Sequence, residues 1–250
     1  MERPGMLFAV VWISLFSMAW AGLARAADMM VLSTFSGSGL NLVQEPIIRE
    51  AYRRLGIELK ILQLPAERAL QMASRGQVDG EVARLAVIRE QYPSLVMVPE
   101  PLFMIENVVF SKDISFPVQG YQSLQPYQVV TLRGYKHFEE RLTALQVDFS
   151  LLPTYEQIFQ TIDKDRFQLA LLTRLDGLKT LSELDVSGVF ALEPPLEVVP
   201  AYHFLHRKHA HLVPRLTRVL REMRQAGVIE QIQLRVQQEL VSRAVNSLAY

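Results

Sequence analysis

The segment 64-LPAERALQMASRGQVDGEVARL-85 carries charge where a chain normally carries none. Its pattern predicts a short helix from Pro65 to Ser74, a turn at Arg75-Gly76 and a strand from Gln77. A parallel strand buried on both faces reads as a near-continuous run of Val, Ile and Leu. This one holds Asp79, Glu81 and Arg84, and Arg68 sits in the first turn of the helix before it. A guanidinium offers a rigid fork of donors that matches a carboxylate or a phosphate. Arg68 and Arg84 therefore read as candidates for holding an anion. Structural alternatives stand beside that reading: Arg84 pairs with Glu81 or Asp79 at a sheet edge, Arg68 with Glu67 makes a solvated helix start, and Asp79 ties the neighbouring turn.

Other segments offer chemistry of the same kind. In 131-TLRGYKHF-138, Gly134 is followed by Tyr135, Lys136 and a predicted helix, so free amides and a positive dipole end would face an anion there. Phe35 and Ser36 open the turn-rich loop 35-FSGSGLN-41, where an aromatic ring can stack on a ligand. Tyr155 and Phe159 lie at helical spacing and read as core. His203, His206, His209 and His211 form a cluster, but strand alternation sends His203 and His206 to opposite faces. No carboxylate-rich motif accompanies them, so neither a metal nor another cofactor is expected. Arg215, Arg218, Arg221 and Arg224 read as a solvated helix face interrupted by Glu222. With 26 basic and 26 acidic residues the chain lacks the charge footprint of a nucleic-acid binder. No catalytic motif of the hydrolase, metalloprotease, phosphate-loop or nicotinamide type occurs.

These residues must be positioned by a scaffold, and the chain has room for one. It is 250 residues long, half apolar and free of cysteine. Residues 1–26 read as a cleavable secretory signal: Arg3, the apolar run 6-MLFAVVWISLFSMAWAGL-23, then Ala24-Arg25-Ala26. The alternative is an uncleaved anchor, since the run approaches bilayer-spanning length. Without a cysteine there is no lipid attachment at the cleavage site, no thiolate catalysis and no sulfur-bound zinc. Beyond residue 28 strands and helices alternate, which predicts α/β architecture. The pattern runs from Met29 to the strand 106-ENVVFSK-112, restarts at 127-YQVVTL-132, and returns through 195-PLEVVPAYHFLHRK-208 to two closing helices. Two crossings predict a discontinuous first lobe, 27–111 plus 203–250, and an inserted second lobe, 112–202. Each would be a mostly parallel sheet flanked by helices. Lobes joined by two strands can close around a ligand, which in open α/β sheets sits beyond the carboxyl ends of the strands.

At this point the chain resembles the extracytoplasmic solute-binding proteins of family 3, the polar amino-acid-binding type. The resemblance is carried by 75-RGQVDGEVARLAVIREQYPSLVMVPEPLFMIENVVFSK-112, by 131-TLRGYKHF-138 and by 166-RFQLALLT-173. It implies a two-lobed periplasmic binding fold of the second type with a two-strand hinge. It also implies ligand contacts from the helix start at Gly134 and from the strand end at Thr173. Two departures stand out. Gln91 occupies the position where the family carries a carboxylate-holding arginine, and Thr173 occupies that of the ammonium-holding acid. A simple α-amino acid ligand is therefore not implied.

The expectation is a monomeric periplasmic protein that closes on a small polar, acidic metabolite and presents it to an inner-membrane permease or receptor. Phe35, Ser36, Arg68 and Arg84 would hold it from the first lobe, and Gly134, Tyr135, Lys136 and Thr173 from the second. The rival is a dehydratase-like enzyme on the same fold, with Glu81 or Glu106 as general acid. A ligand-sensing domain is the third reading.

Overall fold

The computed structural model describes residues 29–184 and 186–246. The signal-peptide reading of residues 1–26 lies outside the described residues. In chain order the elements are β1 (Met29–Phe35), α1 (Asn41–Arg54), β2 (Glu58–Leu64), α2 (Ala66–Ser74), β3 (Gly80–Leu85), α3 (Ile88–Gln91) and β4 (Leu95–Ser111). They continue with β5 (Val129–Leu132), α4 (Lys136–Ala144), β6 (Phe149–Leu152), α5 (Tyr155–Asp163), β7 (Leu169–Thr173), α6 (Arg174–Glu183) and β8 (Phe190–Ala191). The last are β9 (Glu197–His206), α7 (Val213–Gln225) and α8 (Val228–Asn246).

The strands form one sheet in the order β2-β1-β3-β9-β4-β7-β5-β6, with β8 beside β4. Pairing is parallel within β2-β1-β3 and within β7-β5-β6, and antiparallel where β9 and β4 join the two sets. Buried apolar side chains fall into separate clusters along these strands. Leu32, Ile47, Phe103, Leu205 and Leu220 belong to one, and Val109, Val129, Phe138 and Leu171 to another. The first includes Ile105 of β4, and the clusters of the other lobe begin at Val108.

Local sequence accounts for most of this. In α1, Val43, Ile47, Ile48, Ala51 and Tyr52 recur at helical spacing and are buried. In α7, Leu216, Val219, Leu220 and Met223 do the same. The arginines on the other face of α7 are partly engaged, since both Arg221 and Arg224 reach Glu100.

Two expectations are corrected. The extended segment from Pro93 and the strand from Glu106 are one strand, β4, because its register against β9 shifts on either side of Pro101. Proline cannot donate to the ladder, so a strand containing Pro99 and Pro101 reads as broken. The helix α6 was not anticipated at all. Gly177 lies at its middle, where glycine argues against a helix. A β-carbon there would stand 2.2 Å from the Phe110 ring, so glycine is what lets α6 pack on β4.

The histidine cluster disperses. His203 is fully buried, accepts from the Tyr52 hydroxyl at 2.9 Å on Nε2 and donates from Nδ1 to the Glu81 carbonyl at 2.8 Å. Burial pushes its pKa down to about 4, so it stays neutral. His209 instead meets Asp79, which also accepts from the Val31 amide and pairs with Lys208. Asp79 therefore has a structural role, but it ties β1 to the segment after β9 and not the neighbouring turn. Among the described residues no group of three or more His, Asp or Glu side chains could hold a metal ion.

Candidate functional site

A cleft of about 470 Å³ opens at the carboxyl ends of β1, β3 and β5, where the start of α4 faces α2 and α3. That is the size and position at which small molecules bind in open α/β sheets. Its floor is apolar, made by Leu40, Leu70, Ala83, Phe103, Ile105 and Ala201. Phe35, Leu85, Val87, Ile88 and Leu132 complete the apolar walls, and the polar groups are Gln44, Arg84, Arg133, Tyr135, Lys136 and His137.

Arg84 is the best-anchored charge in the cleft. Its Nε and Nη2 donate to one oxygen of Glu81 at 2.8 and 2.7 Å, and Nη2 also reaches the Ala66 carbonyl at 3.3 Å. The guanidinium carbon lies 5.3 Å from the centre of the Phe35 ring, within cation–π range. In an unbroken strand, residues three apart point to opposite faces. Glu81 pairs opposite Phe204 and Arg84 opposite Tyr202, so β3 spends one extra residue between them. That bulge turns both side chains the same way. Glu81 is fully buried, and its second oxygen accepts from the Ser33 hydroxyl at 2.5 Å. Burial raises its pKa; Arg84 and Ser33 act against that without cancelling it. Among the described residues nothing takes the two Nη1 hydrogens of Arg84, which leaves that nitrogen as a charged donor for a ligand.

From the other lobe His137 enters the cleft with its Nε2 2.6 Å from Glu197, which also accepts from Tyr121 at 2.5 Å and Asn107 at 2.9 Å. Burial would raise the pKa of Glu197, but these three donors outweigh it and bring it down to about 2. Gln44 is buried, and its amide donors go to Thr34 and Asn41. Tyr135 stacks on Phe138 with ring centres 4.6 Å apart, and burial pushes its hydroxyl pKa far up.

The structure brings five of the eight expected residues to this cleft: Phe35, Arg84, Gly134, Tyr135 and Lys136. Arg68 and Ser36 are exposed and do not line it. Ser36 is held by its amide, which donates to the Leu64 carbonyl at 2.8 Å. Gly134 lines the cleft, yet its amide donates to Glu139 at 2.8 Å and so is not offered to an anion. Thr173 caps the N-terminus of α6: its hydroxyl donates to Asp176 at 2.7 Å and accepts from the Asp176 amide at 3.1 Å. Gln91 is exposed at the end of α3. Sequence reasoning missed His137 and Gln44. His137 stands in the quoted 131–138 segment, but its partner Glu197 is remote in sequence.

The lobes also meet directly. Asp176 of α6 accepts from the Ser38 hydroxyl at 2.7 Å and from the Gly39 amide at 2.6 Å. A β-carbon on Gly39 would lie 2.3 Å from the Leu175 carbonyl, so only glycine allows this approach. Arg174, also buried, pairs with Glu106 and, at 2.9 Å, with Glu193.

No family model matches the sequence. The chain is 26% identical over 192 residues to an uncharacterized protein of Shewanella oneidensis, covering 74% of this chain and 72% of that one. Among solved structures, it is similar to a probable amino-acid ABC transporter extracellular-binding protein of Bacillus subtilis. That match has a TM-score of 0.69 at 11% identity, over 84% of this chain and 99% of that one. A putative ABC transporter binding component of Wolinella succinogenes, complexed with lysine, matches with a TM-score of 0.68 at 13% identity, over 83% and 94%. A histidine kinase sensor domain with similarity to periplasmic binding proteins matches with 0.65 at 13%, over 84% and 97%.

Proposed function

We propose that the chain, which has the two-lobed α/β fold of periplasmic binding proteins, is a solute-binding protein, exported by its N-terminal segment, that captures a small organic anion by closure of its lobes and delivers it to an ABC-type membrane transporter. The observation that carries this reading is Arg84: a guanidinium fixed by a buried carboxylate, with its Nη1 left for a ligand in a cleft of ligand size. Phe35, Arg84, Tyr135 and Lys136 would contact the anion, with His137 beside them.

The dehydratase reading loses ground on the same geometry. Glu81 is sealed under Arg84 and Ser33, and Glu106 is bound to Arg174, so neither carboxyl is presented to a substrate. A sensory role is the second reading, favoured by the likeness to a kinase sensor domain. It uses the same cleft and the same closure.

A thermal-shift screen of organic acids, amino acids and phosphates on the folded chain from residue 27 tests the proposal. At least one compound is expected to raise the melting temperature and, at saturation, to shrink the radius of gyration in small-angle scattering. A screen without a single shift overturns it. Among the described residues no helix is long and apolar enough to cross a membrane.

A further inference from the structure

The charge balance of the cleft says what kind of anion fits. Its cationic side is well supplied: Arg84 inside, with Arg133 and Lys136 from the opposing lobe. Its anionic side is empty, because among the described residues no aspartate or glutamate lines it. Four carboxylates near the cleft are engaged elsewhere. Glu81 holds Ser33 and Arg84, Glu139 holds the Gly134 amide, and Glu197 holds Tyr121, Asn107 and His137. Asp176 has one oxygen on Ser38 and Gly39 and the other on Thr173. An ammonium group brought into this cleft would lose its water and gain no anionic partner, and a charged group desolvated without a partner is penalised heavily. Apart from Gln44, Tyr135 and His137 the rest of the wall is apolar, with Phe35 and Phe103 offering aromatic surface beside Leu70, Leu85 and Ile105. A polar or zwitterionic body would be poorly matched there.

We infer that the ligand is a carboxylic acid with an apolar, aromatic or branched body and no α-ammonium, its carboxylate on the free Nη1 of Arg84 and its body against Phe35 and Phe103. The inference rests on the binding-protein reading and narrows it: the cleft excludes the α-amino acids that the lysine-complexed structure of like fold would suggest.

Three probes separate the features. 3-Phenylpropanoate carries the carboxylate and the ring, L-phenylalanine adds only the ammonium, and 3-phenylpropan-1-ol removes only the carboxylate charge. By calorimetric titration of the folded chain, 3-phenylpropanoate is expected to bind at least about ten-fold tighter than either of the others, since each forfeits a charged interaction or desolvates an unpaired charge. Equal or tighter binding of L-phenylalanine overturns the inference and leaves the binding-protein reading intact. Equal binding of the alcohol removes the carboxylate from it. No heat from 3-phenylpropanoate at millimolar concentration also overturns it; the broader reading then falls only if the wider screen is silent as well. Arg84→Lys keeps the charge and loses the directed Nη1 donors, so it should reduce the advantage over the alcohol without unfolding the chain.

Discussion

Arg84→Ala is expected to lower folding stability at neutral pH by about 3–5 kcal/mol, the usual consequence of leaving a buried charge without its partner. The stranded group is Glu81, fully buried and left with only the Ser33 hydroxyl. The sign of the pH dependence follows. Burial already raises the Glu81 pKa in the folded chain, and removing Arg84 takes away the strongest opposing influence. A carboxyl whose folded pKa lies above its unfolded value supports folding while protonated. That support is complete below about pH 4.5, the ordinary value for the group, and is lost as pH rises through the folded pKa. The deficit of Arg84→Ala should therefore be small in acid and grow towards neutrality. The double variant Arg84→Ala with Glu81→Gln should recover most of it, because the amide is uncharged and can still bond Ser33. Urea denaturation across a pH series checks both statements. A deficit independent of pH, or untouched by Glu81→Gln, would mean that the pair is not the source of the loss.

The second large effect concerns the contact between lobes. Asp176→Ala removes the acceptor of three buried donors, the Ser38 and Thr173 hydroxyls and the Gly39 amide. Hydrogen bonds to a charged group are worth about 1.5–3 kcal/mol each, and donors left buried without a partner add their own penalty. Relaxation of the hinge lets some of these donors reach water, so a net loss of about 3 kcal/mol is expected, with a larger radius of gyration for the ligand-free chain. Gly39→Ala should mimic the opening by a different route, since its β-carbon collides with the Leu175 carbonyl. An Asp176→Ala chain with unchanged stability and scattering would show that the lobes are held by other contacts, such as Arg174 with Glu106.

Much of the architecture was legible because the hydrophobic period changes between helix and strand. The faces of α1 and α7 and the alternation of elements could be read directly. The lapses have local causes. Pro99 and Pro101 disguise β4, and Gly177 disguises α6, because tertiary packing overrides the propensities of those residues. At the site, the strand-end position of Arg84 was legible, and its pairing with Glu81 stood among the alternatives. The bulge that makes the pair was not legible, since it shows only in the register against β9. Arg68 was misplaced because a helix start says nothing about which side meets the cleft. Thr173 and Gly134 were expected to offer polar groups to a ligand, and each has a local partner within a few residues, Asp176 and Glu139. Such short-range capping can be found in sequence once the helix is known. The apolar character of the cleft could not be found that way, because its walls come from β1, α1, α2, β3, α3, β4, β5 and β9 together.

The measurement that tests the central claim most directly is native mass spectrometry of the wild-type chain and of Arg84→Lys, each purified gently from the same host. The account predicts a single acidic small molecule of defined mass on the wild type and a lower occupancy of it on Arg84→Lys, with both chains folded. An identical adduct at equal occupancy on both would place binding away from Arg84. No adduct on either, together with a silent ligand screen, would contradict the proposal that this cleft captures an organic anion.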